Sequence, residues 1–139
     1  VDWINDSKAT NVGATIAALE GLPGKHVLIA GGDAKGADFS ELASVIKQHC
    51  RAVVLIGKDA ARIASVIPKE ILIEQAVDMQ SAVLAAQTFA QSGDTVLLGP
   101  ACASFDMFSS YAERGAVFKN SVLEMKNNSA GKTEGAVSH

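Results

Sequence analysis

Three segments of the chain carry more glycine and polar side chains than turns require: residues 5–11 (NDSKATN), 31–40 (GGDAKGADFS) and 99–108 (GPACASFDMF). In the second, glycines let backbone amides approach a ligand closely, and Lys35 supplies a positive charge suited to a carboxylate or phosphate. In the third, Ser104 immediately precedes a predicted long helix, whose free amides and dipole also favour an anion. The residues therefore predict a clamp for a small anion such as a carboxylate.

The first segment places a carboxylate, two hydroxyls, an amine and an amide within six residues before a predicted helix. Capping that helix needs one side chain, from Thr10 or Asn11. Asp6 and Lys8 then have no structural task, and this excess polarity favours a functional role. Structural roles stay open for the other two segments, whose glycines fit turns and whose Lys35 and Ser104 fit a surface charge and a helix cap.

Short apolar runs predict four strands, at residues 27–30, 52–56, 71–73 and 95–98. Helices are predicted over residues 12–20, 59–66, 78–91 and 105–126. A further helix is predicted to begin at Asp38, which forms a capping box with Glu41. This alternation predicts a single α/β domain with a Rossmann-like, mostly parallel sheet and helices on both faces. Loops that follow parallel strands share one edge of the sheet, so Lys35 and Ser104 are predicted neighbours.

Composition agrees with this fold class and narrows the partners. Hydrophobic residues make up 48% of the 139 residues and aromatic residues 5%, as suits a parallel-sheet core of Val, Ile, Leu and Ala. The net charge is -3, and the basic residues are scattered singly, which argues against nucleic acid and anionic membranes as partners. No apolar run is long enough for a membrane span or a signal peptide, so a cytoplasmic location is predicted.

The two cysteines and three histidines predict no disulfide framework and no metal site, because Cys50 and Cys102 are far apart and lack CxxC spacing. The chain begins at Val1 without an initiator Met and reads as a fragment whose folded body is residues 1–126. Residues 127–139 (NNSAGKTEGAVSH) lack apolar periodicity and are predicted to be a disordered tail. The segment GGDAKG matches neither GxxxxGK[ST] nor GxGxxG, which argues against ATP or NAD binding by this chain alone.

The order and spacing of DSKATN, GGDAKGADF, GPACASFDMF and YAERG resemble the C-terminal domain of the Mur ligases, from residue 1 to about residue 125. DSKATN resembles the segment of the members that add D-glutamate. The resemblance implies a cytoplasmic, monomeric, ATP-dependent amide ligase of peptidoglycan synthesis, and so of cell-wall growth, cell shape and cell division. It also implies ATP and Mg²⁺ held mainly by a central domain, and UDP-N-acetylmuramoyl-L-alanine held by an N-terminal domain.

Site residues follow from the same resemblance, position by position. Those that match D-glutamate-binding positions are Thr10, Lys35, Ser104, Phe105 through its backbone, and Tyr111. Asp6 and Lys8 match the nucleotide side, and no residue of the chain is assigned as catalytic or as a metal ligand. Tyr111 stands where we expect Phe, and Phe105 where we expect Leu. In the implied reaction the amine of D-glutamate attacks an acyl phosphate, and this domain presents the amino acid and closes over ATP.

Two other functions are compatible with the residues. One is a stand-alone Rossmann-type module that binds several small anions without catalysis, and it would bind D-glutamate and L-glutamate equally. A purely structural or interaction domain would bind no small molecule.

Overall fold

Five strands form one sheet in the order β1-β5-β2-β3-β4. They are β1 Asp2–Asn5, β2 His26–Gly31, β3 Cys50–Ile56, β4 Leu72–Gln75 and β5 Thr95–Leu98. The computed structural model describes residues 1–138, with side chains for residues 1–128. Each neighbouring pair of these strands is parallel. The predicted α/β domain with a mostly parallel sheet is therefore confirmed.

Helices cover both faces of the sheet, as predicted. They are α1 Val12–Gly21, α2 Ser40–His49, α3 Ala60–Ala64, α4 Met79–Phe89 and α5 Tyr111–Ser138. The chain steps in one direction across the sheet from β1 to β4, so right-handed connections put α1, α2 and α3 on one face. The return step to β5 puts α4 on the other face, where α5 packs beside it. None of the helices described within residues 1–138 has both the length and the apolar character to cross a bilayer.

Alternate residues of the central strands supply two separate cores. One contains Leu28, Val53, Leu55 and Leu97 with side chains of α1, α2 and α3, and the other contains Val27, Ile29, Val54 and Val96 with side chains of α4 and α5. Continuous burial on both faces explains why these strands read as uninterrupted apolar runs.

The two edge strands differ from the prediction. No strand is predicted before residue 27, but residues 2–5 (DWIN) form β1 beside β5. The fourth strand is Leu72–Gln75 instead of residues 71–73, and all four of its residues are exposed instead of buried. Edge strands pair on one side only, so their sequences need not be apolar on both faces.

Helix ends also differ. Asp38 does not cap α2: the N-cap is Phe39, and the Asp38 carboxylate accepts from the Ser40 N–H at 2.9 Å. The last helix begins at Tyr111 instead of residue 105 and is assigned through Ser138 instead of ending at residue 126. The predicted disordered tail, residues 127–139, falls almost entirely outside the residues whose side chains are described, and it stays a prediction.

Candidate functional site

Three loops leave the same edge of the sheet, after the neighbouring strands β1, β5 and β2. We name them the β1–α1 loop (residues 6–11), the β5–α5 loop (99–110) and the β2–α2 loop (32–39). The Ala101 N–H donates to Ala9 O at 2.9 Å, which joins the first two loops. Asp33 and Ala103 exchange two backbone hydrogen bonds of 3.0 Å, which join the second and third. The three loops therefore form one continuous surface.

A cavity of about 450 Å³ opens between these loops. Its lining includes the five residues that the sequence predicts around an amino acid: Thr10, Lys35, Ser104, Phe105 and Tyr111. The volume lies in the range of small-molecule sites, about 300–1,000 Å³. The fold thus brings together side chains that are separated by up to a hundred positions in the chain, and Lys35 and Ser104 do share one rim.

Lys35 carries the positive charge of this cavity. Its backbone is left-handed, with φ 50°, and its N–H donates to Asp33 Oδ1 at 3.0 Å. That hydrogen bond holds the pKa of the Asp33 carboxyl below its ordinary value, and Asp33 Oδ2 lies 3.5 Å from Lys58 Nζ. Among residues 1–128 the Lys35 ammonium has no ion-pair partner. It is exposed and available to an anion in the cavity.

Two glycines allow the β2–α2 loop to start so close to its neighbours. Gly31 has φ 124° and Gly32 has φ 136°. A Cβ on Gly31 would lie 1.9 Å from Ile56 O, and one on Gly32 would lie 2.4 Å from Ala103 O. Side chains cannot fit at either position, so the glycines are required by backbone packing around the cavity.

Ser104 lies at the cavity but not at the end of the long helix. Its carbonyl accepts from the N–H groups of Met107 and Phe108 in an isolated turn, and α5 begins at Tyr111. The prediction that Ser104 immediately precedes that helix is therefore wrong, because α5 begins seven positions later, at Tyr111. Ser104 still lines the cavity.

Asp6 and Lys8 do not line this cavity. Asp6 borders a second cavity of about 320 Å³ between β1 and α1, beside Ala18 and Leu22. Lys8 is exposed on the β1–α1 loop. Their assignment to a nucleotide stays a prediction. Asn11 caps α1, since its side chain accepts from the Ala14 N–H at 2.9 Å.

The described residues offer little to a metal or to thiol chemistry. Within that part of the chain, no group of three or more His, Cys, Asp or Glu side chains is placed to hold a metal ion. Burial raises the pKa of the Cys102 thiol to about 12, which keeps it protonated at neutral pH. The chemistry on offer is therefore recognition of an anion by an ammonium, hydroxyls and backbone amides.

Comparison with known proteins agrees with the family resemblance found in the three loop sequences. The sequence profile described as "Mur ligase, glutamate ligase domain" matches residues 1–102, well over half of the chain. The chain belongs to the Mur ligase family. The matched range includes Thr10 and Lys35, whereas Ser104, Phe105 and Tyr111 lie beyond it.

Individual Mur ligases extend the similarity through these last three residues. A protein of Bordetella pertussis named UDP-N-acetylmuramoylalanine--D-glutamate ligase is 59% identical over 126 residues, which is 90% of this chain and 25% of that protein. Proteins of the same name from Nitrosococcus oceani and Legionella pneumophila are 53% and 52% identical over 90% and 88% of this chain. The chain spans 25% to 28% of the length of these relatives.

Arg114, which no sequence pattern singled out, links two loops of this Mur ligase domain from a buried position. It is fully buried, and burial lowers its pKa. Its guanidinium donates to Ser7 Oγ at 2.9 Å, Ser7 O at 2.7 Å and Cys102 O at 2.9 Å. Arg114 thus joins the β1–α1 loop to the β5–α5 loop beneath the cavity. The signal in the sequence was a charged residue at helical spacing from two aromatic ones, three positions after Tyr111 and four before Phe118.

Proposed function

We propose that this chain is the D-glutamate-binding domain of an ATP-dependent ligase that joins D-glutamate to UDP-N-acetylmuramoyl-L-alanine in peptidoglycan synthesis. The observation that carries the proposal is the cavity lined by Lys35, Ser104, Phe105, Thr10 and Tyr111. Relatives that are 52–59% identical and named for this activity support it.

The cavity suits an amino acid with two carboxylates. The Lys35 ammonium attracts one carboxylate, and the Ser104 hydroxyl with the Phe105 backbone amide is suited to the other. Thr10 adds a hydroxyl from the opposite loop, and the Tyr111 ring covers one side. Holding both carboxylates leaves the amine as the group that points away from the domain, toward an activated carbonyl.

The chain contributes to the reaction by positioning. In the proposed reaction the amine of D-glutamate attacks an acyl phosphate, a C–N bond forms, inorganic phosphate leaves and the amine loses a proton. Binding the amino acid in one orientation converts an encounter of two molecules into a local step. ATP supplies the phosphoryl group that activates the carboxylate.

The residues of this chain do not fit the task of holding Mg²⁺ and the phosphates of ATP. The sequence lacks GxxxxGK[ST], and the described residues lack a metal-binding group. We therefore propose that ATP, Mg²⁺ and the uridine nucleotide are held mainly outside this chain. Asp6 and Lys8, on the β1–α1 loop, are the residues we assign to the nucleotide side. The ligase is proposed to act in the cytoplasm as a monomer.

The test is an NMR titration of the isotopically labelled chain with D-glutamate and, separately, L-glutamate. We expect the amide signals of Thr10, Lys35, Ser104 and Phe105 to shift with the D isomer alone. The variant Lys35→Ala should lose these shifts. Lys47→Ala, which removes an exposed lysine paired with Glu70, should keep them and serves as the matched control.

The other outcomes separate the alternatives. Equal shifts with both isomers would indicate a general anion-binding module. If D-glutamate shifts no amide around the cavity, the full-length ligase decides: a Michaelis constant (KM) for D-glutamate that Lys35→Ala leaves unchanged would refute the proposal.

A further inference from the structure

A fourth loop, which lines no part of the cavity, contacts the β2–α2 loop and the β5–α5 loop. This β3–α3 loop consists of Gly57, Lys58 and Asp59. Asp59 Oδ2 accepts from the Ala34 N–H at 2.7 Å, next to Lys35. The Lys58 N–H donates to Asp106 Oδ2 at 3.0 Å, next to Phe105. The β3–α3 loop thus supports the cavity from behind on both sides.

The Asp59 carboxylate does not cap the helix that it precedes. Asp59 is the N-cap residue of α3, a position where Asp normally accepts from a free N–H of the first helical turn. Its side chain makes no such bond. The carboxylate instead reaches across to Ala34 in another loop, and the Asp59 N–H donates to Gly32 O at 3.2 Å. Asp59 therefore binds the β2–α2 loop at two points and leaves its own helix uncapped.

This contact bears directly on the conformation of Lys35. Ala34 is buried, at 5% exposed, and a buried N–H that loses its hydrogen-bond partner is costly. Lys35 follows in a left-handed conformation that non-glycine residues adopt only when their surroundings hold them there. Asp33 Oδ1 holds the Lys35 N–H from one side, and Asp59 holds the preceding peptide from the other.

We propose that Asp59 is a positioning residue for D-glutamate binding, acting through the Ala34 N–H to keep the Lys35 ammonium at the cavity. Asp59 does not touch the ligand. The inference rests on the proposed function, because it assigns Lys35 the task of binding a carboxylate of D-glutamate.

Steady-state kinetics of the full-length ligase test it, with KM measured separately for D-glutamate and for ATP. We expect Asp59→Ala to raise KM for D-glutamate about tenfold, the scale of one lost charge-assisted hydrogen bond, with KM for ATP unchanged. Asp59→Asn keeps an oxygen that accepts from the Ala34 N–H, so it should stay within about threefold of the wild type.

Two further variants keep the test decisive. Asp59→Ser retains a good N-cap residue for α3, but its side chain is too short to reach Ala34. It should therefore raise KM for D-glutamate as much as Asp59→Ala does, and it provides the test if Asp59→Ala folds poorly. Asp78→Ala is the matched carboxylate variant: it removes the exposed N-cap hydrogen bond from the Ser81 N–H at 2.8 Å, at the start of α4. It lowers stability without touching the loops around the cavity and should leave KM for D-glutamate unchanged.

Including Lys35→Ala in the same experiment separates a failure of the positioning role of Asp59 from a failure of the proposed function. If Lys35→Ala raises KM for D-glutamate while Asp59→Ala and Asp59→Ser leave it within twofold, the positioning role is refuted and the proposed function stands. If all three Asp59 variants lower kcat and raise both KM values alike, Asp59 is merely structural. If Lys35→Ala itself has no effect, the proposed function fails.

Discussion

Arg114 holds the two loops on which the cavity depends, and its removal should destabilise the domain strongly. Its guanidinium makes three buried hydrogen bonds, two of them to backbone carbonyls that cannot move to new partners. Hydrogen bonds from a charged donor contribute about 1.5–3 kcal/mol each. Among residues 1–128 the guanidinium has no ion-pair partner, so burying its charge costs free energy. Replacing Arg114 removes that cost, which offsets part of the stability lost with the three hydrogen bonds.

We therefore expect Arg114→Met to lower the free energy of unfolding by about 3 kcal/mol, a large share of the roughly 5–15 kcal/mol typical of a domain. With a urea m-value of about 2 kcal/mol/M, the midpoint should fall by about 1.5 M. Arg114→Lys keeps a charge but not the planar fork, and about 2 kcal/mol should be lost.

Trp3 reports on the same region. It is the single tryptophan of the chain, and its ring centroid lies 6.4 Å from that of Phe118, so it sits between β1 and α5. Urea titrations followed by tryptophan fluorescence and by circular dichroism should give one shared midpoint for each variant.

The control is Arg62→Met. Arg62 is exposed, and its guanidinium donates to Ala37 O at 2.8 Å and lies over the Phe39 ring. We expect less than about 1 kcal/mol from its loss. If the midpoint for Arg114→Met falls no further than for Arg62→Met, the reasoning about the buried guanidinium is wrong.

Three further predictions concern other parts of the domain. Arg51 binds Asp94 through two hydrogen bonds of 2.7 and 3.1 Å, which lower the pKa of Asp94. The stability that this pair contributes is fully present above the pKa of Asp94 in the unfolded chain, about 3.9, and is lost as pH falls through the lowered pKa of Asp94 in the folded domain. In Arg51→Ala the free energy of unfolding should therefore depend less on pH in that window, as measured by acid unfolding. Gly31→Ala should cost about 3 kcal/mol or more in chemical denaturation, because its Cβ would lie 1.9 Å from Ile56 O. Lys35→Gly should relieve the left-handed strain and raise the free energy of unfolding by up to about 1 kcal/mol, seen as a slightly higher melting temperature, while weakening D-glutamate binding; a clear fall in melting temperature would contradict it.

The central strands and both helical layers could be predicted from local pattern. β2, β3 and β5 are buried on both faces, which requires unbroken apolar runs that are visible in the sequence. The edge strands were harder because no such requirement acts on them. β1 (DWIN) has a polar, exposed residue at each end, and β4 carries Glu74 and Gln75 in exposed positions.

The start of α5 was misjudged for a related reason. Residues 105–110 are compatible with a helical pattern, and Ser104 resembles a cap. Tertiary contacts decide otherwise: Asp106 Oδ2 is held by the Lys58 N–H, and the chain from Ser104 to Phe108 closes into a separate turn. Local propensity is too weak to outweigh such contacts.

The sequence by itself determined the fold class, the three polar loops and the residue types that can bind an anion, because periodicity and glycine-rich segments are local properties. Tertiary structure alone decided which side chains support those loops. The Arg114 guanidinium donates to the Ser7 carbonyl across 107 positions, and the Asp59 carboxylate accepts from the Ala34 N–H across 25. Both contacts end on backbone groups, which every residue possesses, so no side-chain pattern in the sequence marks the partner. Only the packed sheet edge brings donor and acceptor within hydrogen-bonding distance.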